Sequence, residues 1–300
     1  MTKLTDKKID DFKKTLLTKE QKAKAAAEAK LLGTAMQQLL PDIFEDKRAI
    51  PNSFLRSALF GMVRKGRRAL VADTPIFSMT QYELLFTGYE LDQNDLELWD
   101  TLIYLAKDKQ IDNELHISLY ELCRQLKIAD NNVNREAVIK RVERLKVGTV
   151  KIKTKTQVFF GSLINNGFID KLGDGKLVIE YNKKLMPLFT DGDYTLISAD
   201  IRHLLGDNQL ARWLYNFYES HNKPMPFSID FIKKLCKSDS ELKGFKQKLK
   251  IALENVKKAK KAVDLKSRWN YEITKNNFLI IHPKGKKLAQ PQLEFNIFEN

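Results

Sequence analysis

Three hundred residues with 43% hydrophobic side chains supply enough apolar surface for one large domain or two modest ones, which excludes disorder throughout. Lys and Arg total 52 against 38 Asp and Glu, and the formal charge of +14 favours a polyanionic partner, nucleic acid first and an anionic membrane surface second. Cys123 and Cys236 stand alone without metal-ligand spacing, and no apolar run approaches ~18 residues, so a disulfide framework, a zinc finger and a membrane span are excluded and a cytoplasmic protein is expected.

Residues 1–48 form a charged N-terminal arm with helical propensity but few apolar positions to bury, and the opening MTKLTDKKIDDFKK lacks the apolar core of a signal peptide. Pro41 and Pro51 bracket a short connector. Ser53 to Met62 is expected to be helical, followed by the basic run Arg64, Lys65, Arg67 and Arg68, whose composition is that of a solvated loop. From Asn94, available as a cap, Leu96, Trp99 and Ile103 recur at helical spacing and predict a buried amphipathic helix. Ser118 with Glu121 makes a capping box for a second helix, and NVNREAVIKRVERLK, after the polar break ADNN, predicts a third. Two strand-like runs over Thr149 to Leu163 follow, then KLVIEY (Lys176 to Tyr181) after the turn Gly173-Asp174-Gly175. Three helices and a basic hairpin in this order are a winged-helix pattern.

The order repeats. Leu210, Trp213 and Phe217 take the places of Leu96, Trp99 and Ile103; Ser228, Ile229 and Ile232 those of Ser118, Leu119 and Leu122; Leu253 and Val256 those of Val142 and Leu145. Lys266 to Ile281, turning at Lys275-Asn276-Asn277, is the second hairpin. The expected fold class is α+β: tandem winged-helix (helix-turn-helix plus β-hairpin wing) domains behind a helical or disordered N-terminal arm. The expected division is 1–48 for the arm, 49–190 for the first domain with its connector, 191–284 for the second, and 285–300 for a flexible C-terminal tail.

In helix-turn-helix proteins the third helix enters the major groove. In the first domain, Lys140 and Arg144 are expected opposite the stripe Val138, Val142 and Leu145, with Asn132, Asn134 and Arg135 near the N-terminus. Arg on guanine and Asn on adenine are the pairings base edges require, although a solvated helix face has the same composition. In the second domain, Ser238 and Glu241 make another capping box ahead of the stripe Leu242, Phe245, Leu249, Leu253 and Val256, and Ser240, Lys243, Gln247 and Lys250 occupy the outer face. Lys246, Lys248, Lys257, Lys258, Lys260 and Lys261 add charge suited to phosphates. Gly244 either admits backbone or base, or serves tight helix packing. Lys151, Lys153 and Lys155 in the first wing, and Lys266 and Arg268 in the second, suit minor-groove or phosphate contact, or protect sheet edges from aggregation.

No enzymatic motif is found. Gly175-Lys176 lacks the preceding Gly and following hydroxyl of a P-loop, and His116, His203, His221 and His282 are scattered without metal-ligand spacing. Tyr194 has nothing nearby to activate it as a nucleophile. No cofactor, no metal and no catalytic residue are therefore expected.

AIPNSFLRSALF (Ala49 to Phe60), YELCRQL (Tyr120 to Leu126), LFTDGDYT (Leu188 to Thr195), SHNKPMPF (Ser220 to Phe227) and LCKSDSELKGFKQKLKIALENV (Leu235 to Val256) resemble, in the same order, TrfA-type plasmid replication initiators. The resemblance implies binding to double-stranded origin DNA carrying direct repeats (iterons), opening of adjacent duplex, recruitment of the host replicative helicase and initiator, and a homodimer in solution that binds the iteron as a monomer. It also implies contact with the polymerase sliding clamp, for which two segments are candidates. Arg56-Ser57-Ala58-Leu59-Phe60 resembles the end of a clamp pentapeptide, with Leu59 and Phe60 as the apolar contacts. Gln290-Pro291-Gln292-Leu293-Glu294-Phe295 resembles a Q-x-x-L-x-F hexapeptide, with Gln290, Leu293 and Phe295 as the contacts, or else docks on the chain's own core. A winged-helix transcriptional repressor and a relaxase-like nicking enzyme are the rival readings.

Overall fold

The computed structural model describes residues 46–283 apart from 64–65, 67, 80–82, 112–113, 154–157 and 170–175. The N-terminal arm before residue 46, Lys155, the expected turn Gly173-Asp174-Gly175, most of the basic run at 64–67, and the C-terminal tail lie outside the described residues.

The connector is richer in structure than its sequence indicates. Strand β1 (Lys47–Pro51) leads into the short helix α1 (Asn52–Leu55), followed by β2 (Phe60–Gly61), β3 (Leu70–Ile76), β4 (Glu83–Tyr89) and β5 (Leu91–Asp92). The helix expected over Ser53 to Met62 stops early for a local reason. The Ser57 hydroxyl donates to the Phe54 carbonyl, while the Ala58 N–H, which a continuing helix would have aimed there, donates to Phe77 at 2.8 Å. Phe60 and Gly61 are then free to pair in parallel with Leu91 and Asp92.

The first three-helix unit follows: α2 (Gln93–Lys109), β6 (Gln110–Ile111), β7 (Glu114–Ile117), α3 (Leu119–Gln125), α4 (Asn132–Val147), β8 (Thr149–Lys153), β9 (Val158–Ser162), β10 (Ile164–Ile169) and β11 (Leu177–Tyr181). Asp92, rather than Asn94, caps α2: its Oδ1 accepts from the N–H groups of Asn94 (2.9 Å) and Asp95 (3.1 Å). Ser118 caps α3 by accepting from the Glu121 N–H at 3.1 Å, and Asn131 caps α4 by accepting from Asn134. Leu96, Trp99 and Ile103 are buried, as are Val138, Val142 and Leu145. The two runs over Thr149 to Leu163 do form a hairpin, β8–β9, but not in the sheet beside the third helix of this unit. It joins β3 and β4 in a separate antiparallel sheet of order β3-β4-β8-β9, while the sheet beside α4 has the order β10-β11-β7-β6. The pattern of alternation identifies strands without identifying the sheet they enter.

A 3-10 helix (Lys183–Gly192) leads to β12 (Tyr194–Ser198), which pairs antiparallel with β1, and to α5 (Ala199–Leu204), α6 (Gln209–Glu219), β13 (Phe227–Ser228), α7 (Ile229–Leu235), α8 (Leu242–Val263), β14 (Asn270–Ile273) and β15 (Phe278–His282). Their sheet has the order β13-β15-β14, which matches β7-β11-β10 in the first unit: first strand beside third, third beside second. The turn before the third helix also repeats, since Lys127 and Lys237 occupy equivalent positions at φ 52° and 59°. Helix α8 starts at Leu242, later than the expected cap at Ser238; the Ser238 hydroxyl instead accepts from the Ser240 N–H, and Glu241 makes no side-chain cap bond.

One apolar core runs through both units, with Trp99 packed between Phe54 (5.1 Å between ring centres) and Phe189 (6.1 Å). The seam between α2 and α6 is polar. Buried Gln93 donates its side-chain amide to the Phe60 carbonyl and accepts from Asn216, while Arg212 reaches Asn94 (2.6 Å) and Glu97 (2.5 Å). Every buried polar group in this seam that finds a partner escapes a desolvation penalty of about 1–3 kcal/mol, so the contact surfaces fit in one register.

Candidate nucleic-acid interface

Helix α8 buries Phe245, Leu249, Ala252, Leu253, Val256 and Ala259 on one side. At 100° per residue the opposite side carries Lys243, Gln247, Lys250, Lys258 and Lys261, all exposed. The structure thus brings onto one face five residues singled out from the sequence, Lys258 and Lys261 continuing it about three turns beyond Lys250. Gly244 lies in the first turn, not mid-helix, and a Cβ there would meet nothing within 4 Å, so tight packing does not explain it. Ser240 is excluded from the outer face because it precedes the helix, where its hydroxyl accepts from Lys248 at 2.8 Å.

Not every lysine of this helix points outward. Lys260 turns inward to Glu219 (2.5 Å) and lies over the Tyr215 ring, which corrects its assignment to phosphates. Glu254, the only carboxylate within α8, accepts from the Tyr271 hydroxyl of β14 at 2.8 Å. Partial burial, with the carboxylate adding to it, pushes that phenol up to about 12, so the bond persists at neutral pH. Lys266 and Arg268 are exposed but sit in the link between α8 and β14 and not in the hairpin, whose turn closes through Asn277 at φ 61°.

The first unit presents a different face. Asn132 and Lys140 are exposed on α4, but Glu136 and Glu143 are exposed beside them, so the surface carries both signs. Asn134 is engaged locally, donating its side-chain amide to the Ala129 carbonyl at 2.7 Å, and Arg135 makes a two-point pair with Asp130 at 2.6 and 2.7 Å. Arg144 does not face outward. It binds Asp95 of α2 at 2.6 Å, and Arg68 binds the other oxygen of the same carboxylate at 3.0 Å. Burial, with Asp92 alongside, holds the Asp95 carboxyl above the usual range, and the two guanidinium groups oppose that shift. The helical wheel explains the miss: Arg144 lies about 130° from the centre of the apolar stripe, on the flank, where a long side chain reaches the adjacent helix. Arg68 and Arg141 join this cluster and have no local sequence signal; the run that contains Arg68 has the composition of a solvated loop.

Lys151 and Lys153 lie on β8, paired with Asp73 (3.4 Å) and Glu83 (2.9 Å) across the β3-β4-β8-β9 sheet, away from the sheet beside α4. The clamp candidate at Arg56 to Phe60 is also corrected. Leu59 and Phe60 are 3% and 1% exposed within the core, and Arg56 bonds to Ser220 at the end of α6. Gln290, Leu293 and Phe295 lie outside the described residues. No described helix is long and apolar enough to cross a membrane.

Residues 3–270 match the TrfA protein family. The chain belongs to the TrfA family. Within reach of the TrfA family is the plasmid replication initiator protein TrfA of Escherichia coli, 26% identical over 274 residues that cover 82% of this chain and 71% of that protein. Among solved structures, selenomethionine derivatives of domain 2 and domain 3 of RctB match with a TM-score of 0.51 at 11% identity, covering 77% of this chain and 98% of theirs. At that identity the likeness is one of fold: this TrfA family chain shares a mixed α+β architecture with those domains.

Proposed function

We propose that this chain initiates plasmid replication by binding double-stranded origin repeats in a sequence-specific manner, opening adjacent duplex and recruiting the host replicative helicase and initiator, without a catalytic step of its own. The two units act as tandem winged-helix domains. The single observation that carries this reading is the repeated order α2-β7-α3-α4-β10-β11 and α6-β13-α7-α8-β14-β15, whose second copy presents Lys243, Gln247, Lys250, Lys258 and Lys261 on one outward face. Membership of the TrfA family supports the same conclusion.

Helix α8 reads base edges while its lysines hold phosphates; the mixed-sign face of α4 contributes less. The chain is a homodimer in solution and binds the iteron as a monomer, and the sliding clamp is contacted through Gln290, Leu293 and Phe295. The test is electrophoretic mobility shift of the full chain on its plasmid's origin against scrambled DNA of equal length at two salt concentrations, followed by permanganate footprinting. Laddered complexes that survive higher salt, with permanganate-reactive thymines beside the repeats, support the initiator. Specific binding without reactivity supports a transcriptional repressor, and equal binding that collapses with salt leaves a non-specific DNA coater.

A further inference from the structure

The outward face of α8 holds one side chain out of keeping with the rest. Ile251 is 61% exposed, although the same helix buries six apolar residues on its other side. It lies on the line that runs from Gly244 through Gln247 to Lys258, with Lys248 and Lys250 on either side. Its exposure shows that the fold does not need it, since neither α2, α6 nor the β13-β15-β14 sheet covers it. Lys250 is exposed on one flank and Lys248 on the other donates to the Ser240 hydroxyl at 2.8 Å, both on long stems, whereas Ile251 is short and branched. A helix whose flanking lysines rest on two phosphate strands sets the residue between them against the floor of the groove. The only apolar group on that floor is the C5-methyl of thymine. Gly244, two turns nearer the N-terminus on the same line and open to solvent, removes the side chain that would hold the helix away from the bases.

We infer that Ile251 is a specificity-determining residue that reads a thymine methyl group in the major groove, with Gly244 permitting the close approach. This rests on the DNA-reading role of α8 proposed above. The contact is chemically simple: apolar carbon of Ile251 against one methyl group, with no hydrogen bond, so its strength depends on a single substituent on the DNA.

That substituent can be removed without altering base pairing. The probe is the duplex that the purified full chain selects from a random-sequence pool, with each thymine replaced in turn by deoxyuridine. Wild type is expected to lose about fourfold in affinity at one or two thymines, the factor contributed by one methyl group in apolar contact. Ile251→Ala is expected to lose a similar factor on the unmodified duplex and nothing further when the same thymine becomes deoxyuridine, while Ile251→Val keeps most of the affinity and most of the thymine preference. Circular dichroism of both variants controls for folding, which an exposed site leaves intact. Selection of a defined sequence by a chain in which no thymine-methyl effect exists, or in which every such effect persists in Ile251→Ala, overturns the inference and leaves the DNA-binding function standing. Failure to select any sequence overturns both.

Discussion

Asp100 of α2 and Arg202 of α5 face each other through two hydrogen bonds, 2.5 and 2.8 Å, with side-chain exposures of 0% and 1%. Burying such a pair is expensive, and removing one partner leaves a buried charge without its two hydrogen bonds, with only the Arg48 guanidinium still acting on Asp100. Arg202→Met and Asp100→Leu are each expected to lower stability by about 3–5 kcal/mol, and the double substitution to recover most of the loss. Urea unfolding of the three variants checks this; single losses below about 1 kcal/mol would mean that water enters the seam.

Arg144 and Lys243 are both basic residues of a third helix, and the structure separates their roles. Arg144→Ala removes one of two guanidinium groups from the buried Asp95 carboxylate and is expected to cost about 1–3 kcal/mol of stability. Lys243→Ala is expected to change stability by less than about 0.5 kcal/mol and, if it reads a base, to weaken binding to the selected duplex by about 1–3 kcal/mol with little effect on random DNA. Equal losses on both DNAs would demote Lys243 to a phosphate contact.

Phe60 packs 5.5 Å from Phe54, ring centre to ring centre, inside the core. Phe60→Ala is expected to destabilise by about 3–5 kcal/mol, as core Phe truncations do. A folded, fully stable Phe60→Ala protein that had lost only clamp binding would contradict this placement.

Two glycines are expected to respond with opposite sign. A Cβ on Gly61 would lie 2.9 Å from the Lys237 Cβ and 3.2 and 3.3 Å from the carbonyl oxygens of Ala58 and Cys236, so Gly61→Ala is expected to cost about 1–3 kcal/mol. Gly244→Ala meets nothing, and its better helix propensity is expected to add up to about 1 kcal/mol. Thermal unfolding of the two variants decides, and a stabilised Gly244→Ala protein with weaker DNA binding would locate the cost of the substitution at the DNA.

His221 packs on Phe217 at 4.6 Å and faces Phe227, with Arg56 nearby. Burial holds its pKa below the ordinary 6.5; the Phe217 carbonyl opposes the shift and Arg56 adds to it. The unfolded chain therefore binds the proton more readily, and the stabilisation is complete above about 6.5 and lost as pH falls through the folded value. Melting temperature is expected to drop between pH 7 and pH 5, with a smaller drop in His221→Gln. An identical slope in the variant would assign the dependence to other groups.

What could be read from the sequence was what repeats locally. Leu96, Trp99 and Ile103 mark their helix without help from the rest of the chain, as do Val138, Val142 and Leu145, because a helical face is set by near neighbours. Ser118 announces α3 through a hydroxyl three residues from its partner. The connector strands had no such signature: Phe60 and Gly61 become a strand only because Leu91 and Asp92 are beside them. In the site, Lys243, Gln247 and Lys250 follow from the wheel, whereas Arg144, Lys151 and Lys153 were misplaced because their partners Asp95, Asp73 and Glu83 come from distant elements. Ile251 could have been found by asking which apolar residue of α8 falls outside its stripe.

The pairing of Lys47–Pro51 with Tyr194–Ser198 sets an order in time. Strand β1, with Ala49 and Ile50 buried in the finished molecule, emerges from the ribosome well before its partner exists. At ~5–20 residues per second the wait is roughly 8 to 30 seconds. The first described strand can therefore be locked in place only after the whole first unit has been made, so a nascent chain that stalls before residue 194 leaves an apolar strand without a mate.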